Sequence, residues 1–291
     1  MITAFYLTLA LLLLWNLQRS WGPGIHLDLA LRVINGKGRK LPKNTRETIE
    51  KHKEDFFYGN IAADIIHFKS YGGARGACHQ WEVLKKLDKV SKSSSQKAFI
   101  LGYGCHLAAD TVSHNHFVPY HLCRFPRYGG FGHLYWELSA DQDSAPEVWD
   151  WIQKLQGINQ LAAHDHLIAQ AVPKRVFSMA VNKRLFNHFV LAGGKERWRK
   201  GMRLVRNGNK GQLEPSRLDR FRREALQRVI FFLQKGPIPP LSHIDPSGKV
   251  NIKKAIQLRK ELRRTVKALE KTTYEDIAHL AKIRAKQFLP S

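Results

Sequence analysis

The chain has 291 residues, of which 43% are hydrophobic and 25% charged, and its formal net charge is +24. This length and composition are typical of a folded protein with a full hydrophobic core, and they exclude a low-complexity chain. The charge is uneven, since 19 basic residues accompany 15 acidic ones over positions 1–173, whereas 29 accompany 9 over positions 174–291. The basic C-terminal part predicts an anionic partner, such as a phospholipid surface or nucleic acid, unless its cations only form the solvent-facing sides of amphipathic helices.

The first 20 residues are typical of a secretory signal peptide. About fourteen apolar residues run without a charge before Arg19, fewer than the roughly 20 that cross a membrane. We therefore predict export to the periplasm or the medium, with cleavage before Trp21. However, no Lys or Arg precedes the apolar run, and Gln18 and Ser20 supply only half of the usual small-x-small cleavage pattern. An uncleaved membrane anchor is the alternative.

The remainder of the chain predicts helices. A 3.6-residue periodicity of apolar residues recurs throughout, while alternating β-branched runs do not occur. The predicted helices cover residues 25–35, 45–67, 77–90, 95–115, 132–141, 145–155, 158–170, 173–191, 215–235 and 252–287, the last broken near Thr272. We therefore predict an all-α fold in which the basic C-terminal part is helical as well.

The cysteines do not form a recognisable metal motif. Cys78, Cys105 and Cys123 include no C-x-x-C pair. Their odd number in an exported protein allows either one disulfide and a free thiol, or three isolated buried thiols.

Two histidine–acid pairs suggest a metal site instead. His106 precedes Asp110 by four residues, and His133 precedes Glu137 by the same distance. Residues four apart lie on one face of a helix, so each pair can chelate a divalent ion. One such pair would be weak evidence, because pairs of this kind arise often by chance.

Three further candidate donors strengthen this hypothesis. His79 follows a glycine-rich break, Asp64 lies in an otherwise apolar segment, and His26 lies near the predicted mature N-terminus. An unpaired carboxylate in an apolar segment would be costly, which favours a partner for Asp64. Imidazole and carboxylate donors without cysteine pairs fit zinc in an open hydrolytic site better than zinc in a closed structural site.

This ordered set resembles the zinc-dependent phospholipase C superfamily, which includes bacterial zinc phospholipases C and fungal single-strand-specific nucleases. The resemblance covers residues 21–140 and rests on Trp21 and His26 in WGPGIH, Asp64 in FFYGNIAADI, His79, His106 and Asp110 in HLAAD, and His133 and Glu137 in HLYWE. It implies a compact all-α catalytic domain, here residues 21–210, that holds up to three zinc ions. Residues 211–291 would then be a basic helical extension packed on this domain or following it.

The resemblance also implies how the N-terminus takes part. Trp21 would bind zinc through its α-amino nitrogen and carbonyl oxygen, with His26 on the same ion. This requires cleavage directly before Trp21, because an acylated nitrogen is not a donor. Asp64 would lie beside the metals as the catalytic base or as the group that orients water.

The other ligands are implied in the same way. His79, His106 and Asp110 would hold a second ion, with Asp110 bridging. His133 and Glu137 would hold the third ion, together with a histidine that follows Asp110.

That histidine is either His114 or His116. The bacterial phospholipases and fungal nucleases place it six residues after the aspartate, which indicates His116, whereas more distant members place it four residues after, which indicates His114. At about 100° per residue, positions 106, 110 and 114 lie within 80° of each other on a helix, while position 116 lies about 80° to the other side. Helical geometry thus favours His114.

The implied reaction is hydrolysis of a phosphodiester. A water held between two zinc ions loses a proton near neutral pH, and the resulting hydroxide attacks phosphorus while the metals neutralise charge. The predicted function is phospholipase C-type cleavage of phospholipid headgroups, with the basic part on an anionic membrane surface. The alternatives are a zinc nuclease acting on single-stranded nucleic acid, and a non-catalytic zinc-stabilised helical module whose basic face binds a partner.

Overall fold

The computed structural model of the protein describes residues 21–65, 78–125, 132–142, 144–158, 161–172, 184, 213–268 and 274–290. Every regular element within these ranges is a helix, so the predicted all-α fold is confirmed. The predicted signal peptide, the predicted domain boundary near residue 210 and nearly all of the predicted helix 173–191 lie outside the described residues.

The helices lie close to their predicted positions. In chain order they are α1 (Pro23–Ile34), α2 (Lys43–Lys51), α3 (Lys53–Ala62), α4 (Trp81–Val90), α5 (Ser94–Val112), α6 (Val118–Arg124), α7 (Gly132–Asp141), α8 (Pro146–Gln156), α9 (Ala162–Ala171), α10 (Pro215–Lys235), α11 (Lys249–Ala268) and α12 (Tyr274–Ala285). The single helix predicted over 45–67 is two helices that meet at His52. The helix predicted over 95–115 ends at Val112 and passes through a π-helical turn, Ser113–Phe117, into α6.

Helix α5 is the central element. It begins at a capping box in which the Ser93 hydroxyl accepts the N–H of Gln96 and the Gln96 side chain accepts the N–H of Ser93. Glycines allow α3 to approach α5 closely, because a methyl group on Gly59 or Gly102 would overlap the backbone of the other helix. This close packing brings the end of α3 beside the half of α5 that carries His106 and Asp110.

The basic C-terminal helices pack on the same core. On α10 the apolar residues predicted to share one side are buried, namely Leu218, Phe221, Ala225, Val229, Phe232 and Leu233. Gly104 of α5 makes room for the Phe232 ring, which would overlap any side chain at that position. Helices α11 and α12 contact α6, and α11 also contacts the π-helical turn. The C-terminal helices therefore lie against the elements that carry the candidate metal ligands.

Two further points concern cysteines and membrane spans. Cys78, Cys105 and Cys123 are all buried and form no disulfide with one another, as in the second of the two predicted alternatives. Within the part of the chain that the structure describes, none of the helices is both long enough and apolar enough to cross a bilayer.

His121 on α6 is buried in an aromatic environment. Its ring packs against Phe117, Trp136 and Phe221, and its Nδ1 lies 2.7 Å from the carbonyl oxygen of Phe117. Burial lowers the pKa of His121 to about 3, although the bond to Phe117 opposes this shift. The folded protein therefore keeps this imidazole neutral between about pH 6.5 and pH 3, a range in which the unfolded chain protonates it.

This difference predicts acid sensitivity. As pH falls below 6.5, His121 binds a proton in the unfolded state but stays neutral in the folded state. The free energy of unfolding therefore falls until pH approaches 3. Between pH 8 and pH 5 the loss from this one group is about 2 kcal/mol. We expect His121→Asn, whose amide can still donate to Phe117, to lose less stability than the wild type over this range in urea unfolding with chelator present. Equal losses in the two proteins would contradict the prediction.

Candidate metal centre

Five of the predicted site residues meet in one buried cluster at the centre of the protein. They come from α1, the residues after α3, the residues before α4, and α5, and they are His26, Asp64, His79, His106 and Asp110. All five are at most 3% exposed. Since charged and imidazole side chains are rarely buried without a partner, their convergence indicates a shared function.

The Asp110 carboxylate is the centre of this cluster. Its Oδ1 lies 3.4 Å from Nε2 of His26, and its Oδ2 lies 3.3 Å and 3.2 Å from Nε2 of His79 and His106. Nε2 of His79 also lies 3.2 Å from Oδ1 of Asp64 and 3.2 Å from Nε2 of His106. Charge-assisted hydrogen bonds are shorter, at roughly 2.7–2.9 Å. The longer separations, with several nitrogens and oxygens facing one point, suit side chains that share a cation.

The donor atoms form two overlapping sets. In one set His26, Asp64 and His106 each offer an atom within 4.8 Å of the others, and in the other set His79, His106 and Asp110 do so. Both sets contain only imidazole nitrogens and carboxylate oxygens, which is the donor chemistry of a hydrolytic zinc site. The arrangement therefore fits the metal that the sequence predicts.

Backbone carbonyls hold two of the imidazoles in the orientation that metal binding needs. Nδ1 of His106 lies 2.8 Å from the carbonyl oxygen of Asn60, and Nδ1 of His114 lies 2.6 Å from that of Pro246. A neutral imidazole that donates from Nδ1 presents the Nε2 lone pair on its other side. For His106 this lone pair faces Asp110 and His79, as expected for a metal ligand oriented by a second group.

The side chains of His114 and His116 lie beside different groups. His114 is 5% exposed, with Nδ1 4.0 Å from Asp110 and Nε2 4.0 Å from Oε1 of Glu137. His116 instead donates from Nδ1 to the carbonyl oxygen of Phe288, 3.0 Å away, and its Nε2 accepts from the Arg228 guanidinium, 3.2 Å away. Only His114 of the two thus lies beside the predicted ligands.

The third predicted ion site is described in part. Glu137 is buried on α7, and His133 lies on the same helix four residues earlier, with its side chain outside the described part of the structure. The described members of this set are therefore His114 and Glu137.

Electrostatics keeps the cluster in a metal-binding form. Burial alone would raise the pKa of Asp110, but His106 and His114 hold that pKa well below its usual value, so the carboxylate is ionised. The pKa of His26 is lowered by burial and by His106. Burial opposes protonation of His106 as well, but the Asp110 and Asp64 carboxylates raise its pKa overall. A bound cation must displace this proton, so metal affinity should fall in acid.

The predicted mature N-terminus is seated next to the cluster. Trp21 is fully buried against Phe117, and its backbone nitrogen lies 3.1 Å from Oγ of Ser113, the residue before His114. Asp141 fixes the start of α1, because its carboxylate accepts the N–H groups of Gly24, at 3.1 Å, and Ile25, at 3.0 Å.

Asp141 also explains the glycines of the WGPG segment. A side chain on Gly22 or Gly24 would overlap the Asp141 carboxylate. Burial raises the pKa of Asp141 to about 7, even though the two N–H groups and the nearby Arg222 oppose the shift. Sequence reasoning missed Asp141, Ser113, Asn60 and Pro246 because each acts through a long-range contact. The paired glycines indicated a close approach of some group without identifying it.

These positions predict which variants lose metal. We expect His106→Ala and His114→Ala to bind less zinc than the wild type by elemental analysis after dialysis, because each removes a donor from the cluster. His116→Ala is the matched control, being two residues further along the same turn, and should retain full zinc. Zinc loss in His116→Ala but not in His114→Ala would reverse the assignment.

Comparison with known families agrees with this geometry. The family model described as zinc dependent phospholipase C matches residues 25–191, more than half of the chain. Neither the curated proteins nor the solved structures include a match. The matched range contains the whole donor cluster, from His26 to Glu137. The chain therefore belongs to the zinc-dependent phospholipase C family.

Proposed function

We propose that this protein is an exported zinc-dependent phosphodiesterase of the phospholipase C type, which releases diacylglycerol and a phosphorylated alcohol from phospholipids. The observation that carries the proposal is the convergence of three imidazoles and the Asp64 carboxylate around buried Asp110, in a chain of this family. A structural zinc site needs only the four donors that complete a tetrahedral shell, whereas this site offers more than four.

The residues that would hold up to three zinc ions are Trp21, His26, His79, His106, Asp110, His114, His133 and Glu137. When bound, zinc supplies Lewis-acid chemistry, since it lowers the pKa of water and neutralises charge on phosphoryl oxygens. The protein contributes a buried, pre-organised donor set, in which Asn60 and Pro246 orient His106 and His114 through their carbonyl groups.

Asp64 is the proposed catalytic base. Its Oδ1 lies 3.2 Å from Nε2 of His79, and one of its carboxylate oxygens lies within 4.8 Å of a ring nitrogen of His26 and of His106. A carboxylate in this position can accept or steer the proton of an attacking water. The same proximity would also allow Asp64 to bind zinc directly. Metal analysis of an Asp64 variant can distinguish the role of zinc ligand from the role of base.

The N-terminal amine of Trp21 is the remaining proposed ligand. Its nitrogen lies 3.1 Å from Ser113, which places it beside the turn that carries His114. The proposal requires removal of residues 1–20, because only a free amine can donate to zinc. Export would thus be linked to assembly of the site.

We expect Asp64→Asn to hydrolyse phosphatidylcholine vesicles at least about a hundredfold more slowly than the wild type, because a positioned base contributes roughly 10²–10⁴ in rate. Asp28→Asn, which changes another largely buried aspartate outside the cluster, is the control and should keep its activity. Both proteins are also offered single-stranded DNA, and zinc content is measured.

The outcomes separate the alternatives. Loss of activity with full zinc supports a base, whereas loss of activity together with zinc makes Asp64 a ligand. Hydrolysis of DNA in place of lipid would replace the proposal with a nuclease. No hydrolysis of either substrate by the wild type, or equal rates in Asp64→Asn and the wild type, would refute the catalytic proposal.

The N-terminal ligand gives a separate prediction. A mature chain that begins at Trp21 should bind more zinc than a chain that begins at Ser20, because the extra residue converts the amine into an amide. Zinc content of the two purified forms, together with mass spectrometry of the exported protein, checks this. Equal zinc binding by both forms would remove Trp21 from the ligand set.

A further inference from the structure

Helix α11 is unusually cationic. Its 20 residues, KVNIKKAIQLRKELRRTVKA, contain eight Lys or Arg residues and a single acidic residue, Glu261. Glu261 faces Arg284 of α12 at 3.8 Å, so its charge is already shared within the protein. The helix therefore presents a large uncompensated positive charge.

The charge is concentrated on one exposed face. Ala255 and Leu262 are buried and attach α11 to the core, with Ile252, Ile256 and Leu258 partly buried beside them. On the opposite face, around exposed Gln257, lie five exposed residues that are here named the cationic face, namely Val250, Lys253, Lys254, Lys260 and Arg264. At 1.5 Å per residue, these side chains extend over roughly 20 Å of the protein surface.

The first turn of α11 lies against the candidate metal centre. Pro246, three residues before the helix, accepts from Nδ1 of His114 at 2.6 Å, and Gly248 lies directly against the His114 backbone. The Asn251 side chain donates to the Asn115 side chain at 3.0 Å. A large charged ligand bound along the cationic face would therefore lie close to the cluster.

We infer that the cationic face of α11 docks the protein on anionic phospholipid bilayers. This inference rests on the proposed function, because the docked surface would hold the substrate near the metal centre. Val250, with 76% of its surface exposed, is the one apolar side chain of the face, so the contact is electrostatic and does not require insertion. Each basic group near an anionic membrane strengthens binding about fivefold.

The composition of the face favours lipid over single-stranded nucleic acid. Proteins that bind single strands combine cations with aromatic rings on which bases stack. The cationic face carries no aromatic side chain among its five residues. Binding to a flat anionic lipid surface requires only positive charges, and the cationic face carries them.

The test compares charge at two places on the protein. One variant changes Lys253, Lys254, Lys260 and Arg264 to Gln, and the matched control changes Lys85, Lys86, Lys89 and Lys92, four exposed lysines on and after α4, to Gln. Both lose the same charge, and Gln preserves helix propensity. Co-sedimentation is measured with vesicles of phosphatidylcholine alone and with added phosphatidylglycerol, using zinc-loaded mature protein that carries Asp64→Asn so that the lipid stays intact.

We expect the parent protein to bind the anionic vesicles, to release at high salt, and to bind neutral vesicles poorly. The α11 variant should bind the anionic vesicles about 600-fold more weakly, because it lacks four groups that each contribute about fivefold, and the control variant should bind like the parent. An equal loss in the control, strong binding to neutral vesicles, or binding of single-stranded DNA in place of vesicles would overturn the inference.

An activity measurement separates this inference from the proposed function. In proteins with Asp64 restored, the rate on anionic vesicles is divided by the rate on monomeric short-chain phosphatidylcholine. This ratio should fall in the α11 variant but not in the control. If no protein hydrolyses the monomer, the proposed function fails while the sedimentation result still decides docking.

Discussion

The buried carboxylate of Asp110 is the constraint on which the rest of the structure depends. Removing an ionised carboxylate from water costs several kcal/mol unless opposite charge surrounds it. In this protein His26 and His79, from two other parts of the chain, and His106, from the preceding turn of α5 itself, supply that surrounding. Helix α5 therefore carries a polar centre through the middle of an apolar core. The helices around it contribute imidazoles at positions where a purely structural core would contain Leu or Phe.

Close packing of the helices positions these imidazoles around Asp110. Gly59 and Gly102 bring α3 against α5, and that contact places the Asn60 carbonyl against His106. Gly22 and Gly24 allow Asp141 to hold the first turn of α1, which sets the position of His26. Pro246, which lies beyond the matched family range, contacts His114, so the basic C-terminal part reaches the candidate metal centre.

The sequence predicted the features that depend on local periodicity and on chemical identity. The all-α fold followed from apolar spacing, and the donor cluster followed from the ordered histidines and acids that resemble the family. Contacts made at long range left no periodic signal, so the partners Asp141, Ser113 and Pro246 could not be identified. The break at His52 was missed because no glycine or proline marks it in the segment EKHKED. The C-terminal end of α5 was misjudged because an α-helical period was assumed beyond Val112, where the π-helical turn begins.

The π-helical turn has a consequence for the spacing of the ligand histidine. In a π-turn each hydrogen bond spans one residue more than in an α-helix, so such a turn accommodates an extra residue between two helices that keep their places. The segment Ser113–Phe117 stands between α5, which carries Asp110, and α6, which is anchored by His121 in its aromatic environment. The number of residues between the aspartate and the next histidine can thus differ by one without disturbing either helix. A sequence pattern with one fixed spacing at this point would miss homologues that carry one residue more or fewer here.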